Sequence, residues 1–331
     1  MQIELYVGVD VSKPTLDVFI HDLRVHRQFK NNQSGYVSIL DWVGTCTKQS
    51  LDRVLICFEH TGIYSMPFAV FLEMHRIAFA MVSPLEIKRS MGIVRGKNDL
   101  VDAKRIAEYA YRFRDKIILT KLPAKDITKL HFLLTLRDKT ARNLAGYTTA
   151  KNEICRAVNA DEMPELFSSY DTMITMLKAE IKRLETAIKQ IINDNSELNA
   201  TFKLITSLKG VSLIVGAYLI VYTCNFSKFD DWRKFACYCG IAPFECRSGI
   251  SVRGRTQVSP IANKQMKKLL HLAAVNASYY DPELHEYYCR RLSEGKSGMT
   301  VLNIIRNKLV ARVFAIVKRA SPYVNIKQYK A

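Results

Sequence analysis

At 331 residues with a formal net charge of +18, the chain can bury two or three cores, and its charge favours a polyanionic partner. No apolar run reaches the roughly 18 residues of a membrane span, and the start, MQIELYVGVDVS, lacks the charged-then-apolar layout of a secretory signal. Its eight cysteines are scattered, with Cys237 and Cys239 the closest pair and no zinc-ligand spacing, so a soluble cytoplasmic protein with reduced thiols is expected, without a membrane partner, disulfides or structural zinc.

In chain order, IELYVGVDVS alternates as a strand with Asp10 at its end, and TLDVFIHD reads as its hairpin partner across the Lys13-Pro14 turn. RVHRQFK supplies a third strand, and a helix follows near residues 34 to 45. RVLICFE is the continuous apolar run of a buried central strand and stops at Glu59, before the Thr61-Gly62 turn. A helix from Tyr64 to His75, the strand IAFAMVS and Pro84 as punctuation come next. KNDLVDAKRIAEYA then opens a helix. Asn98 is placed to cap it, and Asp99 and Asp102 share a face with the apolar stripe Ala103, Ile106, Ala110 and Phe113. Strands that meander and then alternate with helices predict an α/β domain with a mixed sheet.

Beyond Pro123 the pattern is helical. Ile174, Leu177, Ile181, Leu184, Ile188 and Ile191 step by three and four, a heptad seam that predicts an extended helical hairpin or coiled coil, formed with residues 126–158 or with another subunit. A mostly helical basic region runs from WRKFACYCG to the end, interrupted by the polar loop FECRSGISVRGRTQVS. Tyr279 and Tyr280 adjoin one of its basic helices, where they could stack on bases, and are expected instead to pack in the core. The charge is uneven: residues 1–120 hold 16 Lys and Arg against 13 Asp and Glu, whereas residues 121–331 hold 33 against 18. That asymmetry is the footprint of a polyanion-binding surface toward the carboxy-terminal end.

Asp10 and Glu59 each end a strand, where aspartate is otherwise depleted. Asp99 could serve only the helix dipole, but Asp102 lies further in on the core-facing side, where an unpaired carboxylate costs several kcal/mol or binds a cation. If the two strands are neighbours and the helix crosses them, the four acids converge and repel one another unless cations intervene. Two magnesium ions about 3.5 to 4 Å apart are the standard resolution, and they clamp the attacking and leaving oxygens of a phosphodiester. His60, beside Glu59, has no visible partner for general-base work and is expected to pack or to support a neighbour; Tyr64 could be a nucleophile, as in tyrosine recombinases, or the start of an amphipathic helix. In the polar loop, Ser248, Ser251 and Ser259 are rival hydroxyls that spacing does not rank, while Arg253, Arg255 and Lys264 could neutralise phosphate, and Gly249 and Gly254 allow close backbone approach. Lys267 and Lys268 extend the same basic run.

YVGVDVSK, ICFEHTGIY and GKNDLVDAKRIAEYA resemble the acidic motifs of the insertion-sequence family 110 transposases, DEDD recombinases with a RuvC-like amino-terminal domain of ribonuclease H fold. FACYCGIAPFECRSGISVRGRTQVSPIANKQMKKLLHLAA resembles their carboxy-terminal transposase domain. The resemblance spans nearly the whole chain, in order and with similar spacing. It implies a RuvC-like catalytic domain over 1–120, a helical or coiled-coil linker over 121–200 and a transposase domain over 201–331. It maps the metal-binding acids to Asp10, Glu59, Asp99 and Asp102 and the nucleophilic serine to Ser248. It further implies double-stranded DNA and a structured guide RNA as partners, and a dimer or tetramer in which the acids of one subunit meet the serine of another. Many relatives read SSG where this chain has Arg247-Ser248-Gly249; the serine beside the glycine persists. The expected function is DNA cutting and rejoining through a phosphoserine. The rivals are a RuvC-like junction nuclease in which water attacks, a DNA invertase, and a non-catalytic nucleic-acid scaffold.

Overall fold

The computed structural model describes residues 3–48, 50–90, 92, 98–245, 247, 248, 252–254 and 256–324, with 247, 248, 252 and 253 described as backbone only. The chain divides into two compact units, Met1–Leu122 and Pro123–Ala331.

The first unit runs β1 (Leu5–Val11), β2 (Thr15–Ile20), β3 (Val25–Lys30), α1 (Gln33–Thr47), β4 (Val54–Glu59), α2 (Met66–Met74), β5 (Ala78–Val82), α3 (Pro84–Ser90) and α4 (Asp99–Arg112). Ser12 closes the first hairpin: its hydroxyl accepts from the Thr15 amide at 3.0 Å and donates to the Thr15 carbonyl at 2.8 Å. The sheet order is β3-β2-β1-β4-β5. The first three strands pair antiparallel, and β1, β4 and β5 pair parallel, the parallel pairs being reached through α1 and α2 as helical crossovers. All five expected strands form. Pro84 does more than punctuate: it begins α3, where a missing N–H and a fixed φ suit a first helical turn.

Strand alternation divides the sheet between two layers. Leu5, Val7, Val9 and Val11 pack with Leu16, Val18 and Ile20 under α1 and α2, against Tyr36, Ile39, Phe68 and Leu72. Tyr6, Leu55, Cys57 and Ala80 face the other way, against Ile106, Tyr109 and Ala110 of α4. Both faces of the central strands are therefore covered, which is why Val54 to Phe58 of RVLICFE are apolar without a break.

The second unit runs α5 (Lys125–Ile154), α6 (Pro164–Asp194), α7 (Ser196–Thr206), α8 (Leu213–Thr223), α9 (Trp232–Tyr238), β6 (Pro243–Phe244), β7 (Arg247–Ser248), β8 (Val252–Arg253), β9 (Gln257–Val258), α10 (Lys264–Tyr280), α11 (Pro282–Ser293) and α12 (Gly298–Arg319). α5 and α6 form an antiparallel hairpin, pinned by Asp126 with Asn195 at its base, by Arg137 with Glu185, and by Lys151 with Asp171 towards its tip. Of the two arrangements open to the heptad stripe, the structure shows the hairpin with residues 126–158. Ile174, Leu184 and Ile188 are buried in it, and Leu177, Ile181 and Ile191 are half-buried. At the base, Ile127, Leu130, Leu134, Ile188 and Ile192 join one core with α7 to α12. Among the described residues no helix is long and apolar enough to cross a membrane.

Candidate active site and nucleic-acid interface

The β1–β4 register pairs Val9 with Phe58, so Asp10 and Glu59 occupy the next position on adjacent strands. With a side-chain period of two, Asp10 shares a face with Tyr6 and Gly8, and Glu59 with Leu55 and Cys57. That is the face α4 covers. α4 can lie close because residue 8 is glycine: a Cβ there would stand 2.3 Å from the Ala103 carbonyl oxygen and 2.2 Å from the Ala107 amide nitrogen. One turn toward its amino terminus from this contact, α4 carries Asp99 and Asp102. The helix starts where the sequence places it, with Asn98 Oδ1 accepting from the Val101 amide at 2.7 Å. The alternation of the strands, the glycine and the cap thus bring the four acids to one end of the sheet. Asp10 registers this: burial first, then the charges of Asp102, Asp99 and Glu59, push its carboxyl up to about 6.

Asp10, Glu59 and Asp102 are partly buried and Asp99 is exposed. As donors they suit a hard divalent cation, since all are carboxylate oxygens, and a cation at this end of the sheet would relieve the repulsions that raise Asp10. In the conformation described, Arg105 Nη1 holds Asp102 Oδ1 at 2.7 Å, and among the described residues no three His, Cys, Asp or Glu side chains stand at metal-holding spacing.

A fifth carboxylate belongs to this neighbourhood. Asp17 on β2 pairs directly with Asp10 across the antiparallel ladder and is 4% exposed. Both its oxygens are occupied from β3, Oδ1 by His26 Nε2 at 2.9 Å and Oδ2 by Gln28 Nε2 at 3.0 Å, and its charge adds to the shift of Asp10. Sequence reasoning missed it. The signal was the hairpin register, which places an Asp on the α4 face opposite Asp10, between Leu16 and Val18 of the other face.

His60 is exposed rather than packed, and its Nδ1 accepts from the Gly62 amide at 3.3 Å. Tyr64 is also exposed; its carbonyl accepts from Asn31 Nδ2 at 3.2 Å.

In the second unit the polar loop is a two-tier ladder: Pro243 pairs with Val258 and Phe244 with Gln257, then Arg247 with Arg253 and Ser248 with Val252. Its root is pinned. A Cβ on Gly240 would meet the Ala262 Cβ at 2.3 Å, the Asn263 amide donates to the Tyr238 carbonyl at 2.8 Å, and Asn303 Nδ2 and Asn307 Nδ2 both donate to the Ile241 carbonyl at 3.0 Å. Ser248 and Arg253 are thus carried on a short β ladder; their side chains, and the whole of Arg255, Gly249 and Ser251, lie outside the described residues. Lys264 opens α10, capped by Asn263 Oδ1, which accepts from the Met266 amide at 2.9 Å. Lys264, Lys267 and Lys268 line its solvent side, opposite buried Met266, Leu269 and Leu270. Lys268 Nζ is 3.7 Å from Asp138 of α5, which partly offsets its charge. Tyr279 and Tyr280, expected in the core, are 72% and 68% exposed, because α10 buries Ala273, Ala274 and Ala277 instead.

A family model described as a transposase, of the DEDD and IS110 type, matches residues 7–160, and one described as the transposase IS116/IS110/IS902 family matches residues 202–289. The chain is 26% identical over 324 residues to the pilin gene-inverting protein of Moraxella lacunata, covering 96% of this chain and 97% of that one. The protein of the same name from Moraxella bovis matches to the same extent. An uncharacterized 43.6 kDa protein of insertion element IS110 from Streptomyces coelicolor is 26% identical over 161 residues, 49% of this chain and 38% of that protein.

Proposed function

Because the chain belongs to the IS110 family of transposases, enzymes that cleave and rejoin DNA, we propose that Asp10, Glu59, Asp99 and Asp102 are its cation-holding centre and Ser248 its nucleophile. Two magnesium ions, when bound, neutralise the acids and stabilise charge on the attacking and leaving oxygens of a phosphodiester. The observation that carries the reading is Asp10, which burial and three facing carboxylates hold at about 6; such an acid at the end of a sheet is suited to exchange its proton for a cation.

Ser248 Oγ bonds to phosphorus as the bond to a deoxyribose oxygen breaks, and the serine proton ends on the freed strand-end hydroxyl. The hydroxyl of a second strand then attacks the phosphoserine, and the serine regains a proton. The bond energy stays in the phosphoserine, so rejoining needs no external energy source. Arg253, Arg255, Lys264, Lys267 and Lys268 hold backbone phosphates through this exchange. A structured guide RNA, assembly as a dimer or tetramer, and action in the cytoplasm belong to the same proposal. The likeness to pilin gene-inverting proteins over nearly the full chain favours DNA inversion as one outcome of this chemistry.

The test is Ser248→Ala with end-labelled DNA on a denaturing gel. The variant is expected to bind DNA as the wild type does and to form no covalent protein–DNA adduct. An adduct that persists in the variant removes Ser248 as nucleophile; wild-type protein that hydrolyses strands without any adduct favours attack by water, as in a junction nuclease.

A further inference from the structure

We propose that His271 of α10 is a DNA phosphate contact, held as a neutral Nε2–H donor by the buried guanidinium of Arg306 on α12. The proposal rests on the reading that the basic side of α10 faces DNA.

Arg306 is 6% exposed. Its Nη2 lies 2.6 Å from His271 Nδ1 and its Nη1 3.4 Å from Asn303 Oδ1. Its Nε is buried with no hydrogen-bond partner, and among the described residues no carboxylate pairs with it. Buried arginines ordinarily face an acid, because an uncompensated charge in the interior is costly. Here every partner is neutral, so the positive charge behind α10 stays unneutralised.

A guanidinium has donors only, so His271 Nδ1 must accept, and the ring proton sits on Nε2. Protonating the ring would set a second donor against Arg306; burial and the Arg306 charge accordingly lower the pKa of His271. His271 follows Lys264 by seven residues and Lys267 by four, so the three share one stripe of the helix, and the imidazole is partly exposed. Nε2 has no protein partner among the described residues. A fixed N–H donor in line with two lysines, with a buried cation behind it, suits a phosphate oxygen. A neutral donor of this kind fixes the register of the backbone without adding to counterion release. The same network reaches the loop that carries Ser248: Asn303, which accepts from Arg306, donates to the Ile241 carbonyl at the root of the ladder. A phosphate seated on His271 is thereby tied to the anchor of that ladder.

The experiment is fluorescence anisotropy with the full chain and an end-labelled, mixed-sequence DNA duplex, titrated over a range of salt, with thermal midpoints recorded for each variant. His271→Leu is expected to bind roughly threefold to tenfold more weakly with an unchanged slope of log K against log salt. His271→Gln, which places an amide N–H near the position of Nε2, is expected to restore affinity. Lys267→Ala is expected to weaken binding and flatten the slope by about one. Nitrogen NMR should show His271 as the Nε2–H tautomer. If Lys267→Ala weakens binding but His271→Leu does not, or if His271→Gln fails to rescue, the inference falls and the α10 surface stands. If neither variant changes binding, the α10 reading falls with it. An Nδ1–H tautomer overturns the inference whatever the affinities.

Discussion

Burial and the facing carboxylates of Asp102, Asp99 and Glu59 keep Asp10 protonated to about pH 6, whereas in the unfolded chain it titrates near the ordinary aspartate value. Below about pH 4 both states hold the proton and the difference vanishes. As pH rises through 6 the folded protein must give up a proton against repulsion, so the metal-free protein loses stability over that interval. Asp10→Asn is expected to remove this part of the pH dependence and to stabilise the metal-free protein at pH 8 by roughly 1–2 kcal/mol, a figure discounted for the partial solvent exposure of the site. Urea titrations in chelator from pH 4 to 8 check this, and parallel curves for the two proteins would contradict it. The same variant is expected to lose strand cleavage. Asp10, Glu59, Asp99 and Asp102 were legible as residues because acids at strand ends and in the first turn of a core-facing helix go against ordinary preference. Asp17 was not, since its significance depends on which residue it meets across the hairpin. Arg306 was equally hidden: nothing local marks an arginine as buried among neutral partners.

At the scale of elements, the seat of α4 on β1 decides where Asp99 and Asp102 stand. Gly8→Ala puts a methyl group against the α4 backbone at Ala103 and Ala107, and backbone cannot step aside as a side-chain end can. The expected cost is roughly 3 kcal/mol, with cleavage lost beyond what instability explains, because α4 must lift at the turn that carries the acids. Gly44→Ala on α1, where a Cβ meets nothing within 4 Å, is the control and should stabilise by about 0.5–1 kcal/mol. Denaturant unfolding of both variants provides the check, and equal effects would show that α4 is not seated through Gly8. The five strands, α1, α2 and α4 were readable from alternation, apolar runs and the Asn98 cap. The two-tier ladder around Ser248 was not, because two-residue strands leave no periodicity to read, and their pairing is set by the pinned root at Gly240 and Ile241. Tyr279 and Tyr280 misled because aromatic residues beside a helix suggest burial, while the alanines of α10 already fill the contact.

For the molecule as a whole, charge is divided unevenly between the two units: residues 1–120 are nearly balanced, and residues 121–331 hold 33 basic against 18 acidic side chains. Binding driven by phosphate neutralisation releases counterions, so its affinity falls with salt at a slope set by the number of cations engaged. If the second unit supplies them, replacing Lys264, Lys267 and Lys268 together by alanine should flatten the slope of log K against log salt by about two to three. The lower figure applies if Asp138 keeps Lys268 partly neutral in the complex. Replacing Arg24, Arg27 and Lys30, three exposed cations at the β3 edge of the first unit, removes the same net charge and should leave the slope nearly unchanged. Overall charge is altered equally in the two triple variants, so a difference between them locates the phosphate-binding surface rather than reporting net charge. Equal flattening would mean that DNA is drawn to the protein by its total charge, and that α10 has no privileged place in holding it.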